Sequence, residues 1–300
     1  MPSRTALPTE LASGPFTVAR ARQLAVTRGR TRGSDLVLPT RGVRRPAAVD
    51  PDAVGHAAAF ALALPGDAAF SHVTAARLHD LPTPTPWRGA DELLDVMRAR
   101  HRPPVKRAGC RTHRGLESRT VAVVHGLRVT SAIDTWCDLA GSWSDADLLA
   151  VGDVLLRRGI ATPDELLAAA VARAGRRHAG LLQPVARLAR PGAASPAESV
   201  ARWWFWTWGL PEPELNVPVH DHLGQWLATV DFRWRAQRVV GEYDGDVHRT
   251  DRRDWQRNKD RRASLEDAGW TYVDMTALSL SDDHHRDALR TRLRRALGTG

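Results

Sequence analysis

Along Trp226–Trp234, Val230, Phe232 and Trp234 fall on one side of an extended chain and Asp231 on the other. That period of two predicts a half-buried strand. A second strand-like run, Gln237–Tyr243, follows after Arg235-Ala236, so the two form a hairpin. Before them, Ser195-Pro196-Ala197-Glu198 opens a helix; after them come a charged helix from about Asp251 to Ala268 and an apolar strand, Trp270–Met275. Upstream, Asp145–Arg157 and Thr162–Ala174 carry apolar residues at helical spacing. Thr162-Pro163-Asp164-Glu165 gives the second of these an N-cap, a proline at the first helical position and acids in the first turn. Val54–Leu64, a segment capped by Ser71, and Ser131–Leu139 with Trp136 read as further helices; Leu93–Met97 and Val121–Val129 read as strand material. Near the start, Thr17 caps a short helix and Thr27 a second one through Arg28, Arg30 and Arg32, followed by small strands at Leu36–Leu38 and Gly42-Val43. The whole reads as an α/β (α+β) chain.

Composition narrows the class. The chain has 300 residues, 43% hydrophobic and 26% charged, which is ordinary globular material with room for two or three domains. Residues 1–13 read as a loosely held tail, 14–48 as a winged helix-turn-helix-like module, 49–190 as a mixed α/β middle region and 191–300 as a C-terminal domain opening at Pro191-Gly192. No apolar run approaches the roughly eighteen residues of a membrane span, and the first residues lack the apolar core of a signal peptide. Two cysteines, Cys110 and Cys137, leave no disulfide framework and no cysteine-built zinc site. A cytoplasmic protein with no membrane partner is the expectation. The net charge of +9 favours a polyanion such as DNA, because neutralising phosphates releases counterions. A homodimer is also compatible with this reading.

The candidate chemistry lies in the C-terminal third. Asp231 is in the first hairpin strand, Glu242 and Asp244 end the second, and Glu198 is in the preceding helix. Residues two apart on a strand share a face, so Glu242 and Asp244 sit together and Asp231 can join them across the hairpin. Oxygen donors of this kind suit Mg²⁺ or Mn²⁺, which hydrolyse phosphodiesters by activating water. The spacing alone leaves a second reading, in which Asp244-Gly245 is a turn and the acids are solvated. Lys259 and Lys106 are the only lysines. Lys259 is either a compact point charge for a phosphate or a solvated helix position. His248 is either a proton shuttle or phosphate contact, or a surface histidine after a turn. His220-Asp221-His222 reads as a polar turn, His284-His285 as part of a helix capped by Ser281, and Asp153 as a solvated helical acid. Eight of the eleven tryptophans fall between Trp203 and Trp270; those around Trp203–Trp208 read as core first, with one or two left for a partner.

The order of these motifs resembles a known family. Ser195-Pro196-Ala197-Glu198-Ser199, Gly209-Leu210-Pro211-Glu212-Pro213, Val230-Asp231-Phe232, Glu242-Tyr243-Asp244-Gly245, His248, Lys259-Asp260-Arg261 and Gly269-Trp270 follow one another as in very-short-patch-repair-type members of the restriction-endonuclease-like PD-(D/E)XK superfamily. Over about Pro191 to Arg295 the resemblance implies a mixed sheet flanked by helices and a Mg²⁺-dependent DNA endonuclease. Asp231, Glu242 and Glu198 would be its metal ligands, with Asp244, Lys259 and His248 completing the catalytic set. The chain departs from the family where Asp244 replaces the motif lysine; Lys259 is the candidate substitute. Helix, turn, basic helix and hairpin over Gly14–Pro46, closed by Arg41-Gly42-Val43-Arg44, resemble the N-terminal domain of AbiEi-type antitoxin-like proteins. That resemblance implies DNA contacts from Arg28, Arg30, Arg32, Arg41 and Arg44, and with them a second function: a DNA-binding regulator of toxin–antitoxin type with a degenerate nuclease domain.

Overall fold

The structure is a computed structural model and describes residues 5–48, 51–176, 178–245 and 252–299. The chain forms two compact units, Met1–Leu139 and Ala140–Gly300. It is of mixed α+β class, with three separate sheets among the described residues. Among the described residues no helix is long and apolar enough to cross a membrane.

The first unit opens with one helical turn, α1 (Thr9–Ala12), where the sequence suggests a loose tail. Leu11 is buried there against Phe16 and Ala21, and that small apolar contact is what holds the segment down. β1 (Phe16–Thr17) leads into α2 (Val18–Gln23), whose cap Thr17 accepts the Arg20 N–H at 3.0 Å. The expected second helix is a single 3₁₀ turn, Arg30–Arg32. Gly29 and Gly33 bracket it, and glycine opposes helix propagation. β2 (Leu36–Val37) and β3 (Val43–Pro46) complete an antiparallel sheet of order β1-β3-β2.

α3 (Ala53–Ala61), β4 (Ala69–Phe70), α4 (His72–Leu78), β5 (Leu94–Arg98), β6 (Cys110–Arg114), β7 (Val121–Val124), β8 (Leu127–Thr130) and α5 (Ala132–Leu139) make the rest of this unit. Its sheet runs β6-β5-β4-β8-β7. Phe60, Phe70, Leu78, Leu94, Val96 and Val129 form a buried cluster on it. The basic run 98–119 contributes β6, an edge strand parallel to β5. Burial there is only partial, so the hydrophobic pattern that marks an inner strand is missing.

In the second unit, α6 (Asp145–Arg157), α7 (Pro163–Ala172) and α8 (Leu182–Leu188) precede α9 (Pro196–Thr207). The capping box at Thr162 and Glu165 forms, with the Thr162 N–H donating to Glu165 at 2.8 Å. Asp153, which the sequence suggests is solvated, is instead buried. Its carboxylate accepts from Ser199 Oγ (2.7 Å), Arg202 Nη1 (2.6 Å) and the Arg190 N–H (2.8 Å). A buried charge persists only when paired and hydrogen-bonded, and this one joins α6 to α9 and to the end of α8.

β9 (Glu214–His220), β10 (Trp226–Trp234), β11 (Val239–Asp244), α10 (Arg252–Asp267), β12 (Thr271–Thr276), α11 (Ala277–Ser281) and α12 (Asp283–Leu297) follow. The sheet order is β12-β11-β10-β9; β11 pairs antiparallel with β10 and parallel with β12, with α10 as the crossover. One cluster joins α9 and α12 to the sheet through Ala201, Phe205, Phe232, Met275 and Leu293. Another joins α10 to it through Leu265, Val240 and Val230. A Cβ at Gly241 would lie 2.8 Å from Met275 Cε, so a larger residue there requires the end of that flexible side chain to shift. Asp282, rather than Ser281, caps α12 by accepting the His285 N–H. Asp221 accepts the Leu223 and Gln225 N–H groups, making His220–His222 the polar turn expected of it. Trp203 is buried and Trp206 is 47% exposed.

Candidate functional site

The site is built where β10 and β11 part. Their ladder runs from Trp234↔Val239 to Phe232↔Gly241. Beyond it, Asp231 Oδ2 accepts the Tyr243 N–H at 2.7 Å. The neighbours of Asp231 on its own strand belong to different cores: Val230 packs toward α10 and Phe232 toward α9. Asp231 therefore sits where the buried surface of the strand changes hands.

Glu198 lies in the first turn of α9, at the third position after the cap Ser195. Its side chain does not close a capping box. It accepts instead from the Ala194 N–H at 2.9 Å and from Asn216 Nδ2 at 2.6 Å, and it is buried. Asn216 can reach it because its backbone takes the left-handed conformation (φ 51°), which Asn tolerates better than most residues. Glu242 accepts from Tyr272 Oη at 2.9 Å and from Arg261 Nη2. The same Nη2 donates to the Thr229 carbonyl at 2.6 Å.

Burial raises the Asp231 carboxyl above its ordinary range, the Tyr243 N–H and Arg261 oppose the rise, and the charge of Glu198 adds to it. Burial also raises Glu242; Arg261 and Tyr272 oppose this, and the charge of Asp231 adds to it. Asp231 is therefore within electrostatic reach of both other carboxylates. Among the described residues no three His, Cys, Asp or Glu side chains form a ready ligand set. The partners explain why: an arginine and a tyrosine hold Glu242, and Asn216 holds Glu198. The donor set is nonetheless of the hard-oxygen type that Mg²⁺ and Mn²⁺ take, and the Arg261 guanidinium supplies positive charge where those acids gather.

Arg261 is the residue that sequence spacing alone did not single out. It lies one turn before Leu265, which is buried against the sheet, so the i, i+4 rule turns Arg261 to the same side. Lys259, two residues earlier and roughly 200° round the helix, is exposed. Asp244 follows Glu242 on β11 and pairs with Thr276. His248 lies outside the described residues.

Among the N-terminal arginines, Arg28, Arg32 and Arg41 are exposed. Arg30 turns inward, forming a two-bonded ion pair with Asp35 (3.0 and 2.7 Å) and donating to the Thr5 carbonyl. Arg44 donates to the carbonyls of Thr31 (2.7 Å) and Val43 (2.8 Å). Those two guanidinium groups are bonded within the module, whereas the other three are exposed.

The first unit contains a further titratable cluster. His72 stacks on His113 with centroids 3.6 Å apart, and His113 Nε2 lies 2.8 Å from the buried Asp95 carboxylate. Burial, reinforced by His113, pushes His72 down to about 4, while Asp138 and Asp95 pull it upward. A base with a lowered folded pKa supplies its full stability above the unfolded value of 6.5 and loses it as pH falls toward 4. Acid unfolding followed by circular dichroism should therefore show a loss on the order of 3 kcal/mol across that window. His72→Gln should flatten the profile, and an unchanged profile would refute the assignment.

The fold is that of an α+β protein in which Asp231 and Glu242 lie on adjacent antiparallel strands. The chain belongs to the family of two Mycobacterium tuberculosis proteins, "Uncharacterized protein MT2308" (strain CDC 1551 / Oshkosh) and "Uncharacterized protein Rv2248" (strain ATCC 25618 / H37Rv). Each is 32% identical over 227 residues, covering 76% of this chain and 81% of the relative. No family model and no solved structure matches the chain.

Proposed function

We propose that the chain is a cytoplasmic, divalent-metal-dependent DNA endonuclease with its DNA-locating surface in the N-terminal unit. What supports this reading is the position of Asp231 and Glu242 on adjacent antiparallel strands, with both carboxyls raised mainly by burial and further by a neighbouring acid, Glu198 for the first and Asp231 for the second. Like charges held together in a partly buried place are a cost to folding and a typical mark of a site that takes a cation. Asp231 and Glu242 would hold Mg²⁺ or Mn²⁺, with Glu198 beside them. When bound, the ion supplies an activated water and charge stabilisation at the phosphate. Arg261 offers the positive charge that Asp244 does not, and Lys259 and His248 remain candidates for phosphate contact.

Plasmid nicking with Mg²⁺ or Mn²⁺ tests this proposal. The wild type should convert supercoiled DNA to open circles, and Asp231→Ala and Glu242→Ala should each abolish the conversion. Cleavage that persists in both variants would point to a contaminant and remove the mechanism.

The second reading is a DNA-binding regulator of antitoxin type whose nuclease domain is degenerate. Two features favour it: Glu242 is already neutralised by Arg261 and Tyr272, and the motif lysine is replaced by Asp244. Tight DNA binding without cleavage on any DNA form would select it.

A further inference from the structure

The positive charge of this chain is concentrated in one unit. Met1–Leu139 holds 20 Lys and Arg against 12 Asp and Glu, a net of +8, whereas Ala140–Gly300 holds 23 against 22, a net of +1. A charge asymmetry of this kind marks the half that meets a polyanion. Within the first unit the turn 38–42, between β2 and β3, and the loop 106–109, leading into β6, face each other across a groove of about 1010 Å³. Residues 90–93 close its third side.

The groove is braced. Arg107 Nη1 donates to Thr40 Oγ1 (2.9 Å) and to the Arg41 carbonyl (3.0 Å), tying one lip to the other. Gly109 presses on Phe60 so closely that a Cβ would lie 2.7 Å from the ring, which fixes the loop against the core. The rim carries Arg41, Lys106 and Arg107 against a single acid, Asp91. Leu38 and Leu93 stand in the same groove 60% and 46% exposed. Cations at the rim with apolar side chains between them match an alternation of phosphate and sugar.

We propose that this groove seats the sugar–phosphate backbone of one strand of duplex DNA, with Arg41 and Lys106 at phosphates and Leu38 and Leu93 against the sugars. The inference rests on DNA being the partner, and it joins the N-terminal module's turn 38–42, with Arg41, to the loop 106–109 and Leu93 in one contact surface. Backbone contacts of this kind set position and affinity without reading sequence.

Fluorescence anisotropy of the full chain with a labelled random-sequence duplex, over a salt series, tests it. Lys106→Ala should weaken binding and lower the salt slope by roughly one phosphate contact. Ala108→Trp fills the groove at unchanged charge and should weaken binding further, lowering the slope by roughly 2. Arg114→Ala, a cation outside the groove, should bind as the wild type does. Melting temperature checks each variant; if Ala108→Trp does not fold, Lys106→Ala decides by itself. Wild-type binding with both groove variants unaffected would overturn the groove and leave the DNA partner standing. A wild type with no salt-dependent DNA binding would overturn both.

Discussion

Replacing Asp153 with alanine is expected to destabilise the second unit by about 3–5 kcal/mol. The side chains of Asp153 and Arg202 are 1% and 2% exposed, and they meet at 2.6 Å. Removing the carboxylate leaves a buried guanidinium with only the Leu188 carbonyl and Glu212 as acceptors. It also strips the Ser199 hydroxyl and the Arg190 N–H of the acceptor they share. An uncompensated charge in a low-dielectric interior costs far more than the pair contributes, so the single variant should fare worse than a double one. For a unit of this size each kcal/mol moves the melting temperature by roughly 2–4 °C. Asp153→Ala should therefore melt well below the wild type, and Asp153→Leu combined with Arg202→Met should recover most of the loss. A single variant that melts with the wild type would show that the pair is not what joins α6 to α9.

The second large effect combines stability with activity. Asp231→Asn should abolish metal-dependent cleavage and at the same time raise the melting temperature. The sign follows from the raised carboxyl. An acid whose folded pKa lies above its unfolded value contributes stability that is present below the unfolded pKa and is lost as pH rises through the folded one. At neutral pH the Asp231 charge is therefore a burden, imposed mainly by burial and increased by Glu198. Asparagine removes the charge and retains an oxygen for the Tyr243 N–H. A rise in melting temperature is expected, and it should shrink as pH falls toward the pKa of the acid. Burial raises Glu242 as well, against the opposing Arg261 and Tyr272, so Glu242→Gln should shift the melting temperature in the same direction. Gains in stability at the expense of function are characteristic of sites whose residues are held in unfavourable surroundings. A destabilised Asp231→Asn that still cleaves DNA would contradict both halves.

Local chemistry made much of this fold legible in the sequence. Thr162-Pro163-Asp164-Glu165 announced α7, and Ser195-Pro196 announced α9, because caps and N-terminal prolines act within a few residues. The alternation over Trp226–Trp234 located β10 but not the change of face at Asp231: Val230, expected beside Phe232 and Trp234, packs into a different core. Features that depend on distant pairing were not legible. Asp153 meets a partner 49 residues away, and nothing in its own helix distinguishes it from a solvated acid. β6 is an edge strand whose exposed, basic residues imitate a loop. Thr27 does bond to the Arg30 N–H, as an N-cap would, yet the flanking glycines stop the helix after one turn. Near the site, lysine rarity drew attention to Lys259. The more informative signal was the i, i+4 relation of Arg261 to Leu265, which turns an arginine toward the acids.

The most direct measurement is the position of Mn²⁺ in crystals soaked in that ion, located by its anomalous scattering. A single peak coordinated by the Asp231 and Glu242 carboxylates, with Arg261 displaced from Glu242 and no peak in Asp231→Asn crystals, is the expected result. Crystals that show no bound Mn²⁺ there, with the Arg261–Glu242 pair intact at saturating ion, would contradict the metal site and leave a basic DNA-binding protein that does not cut.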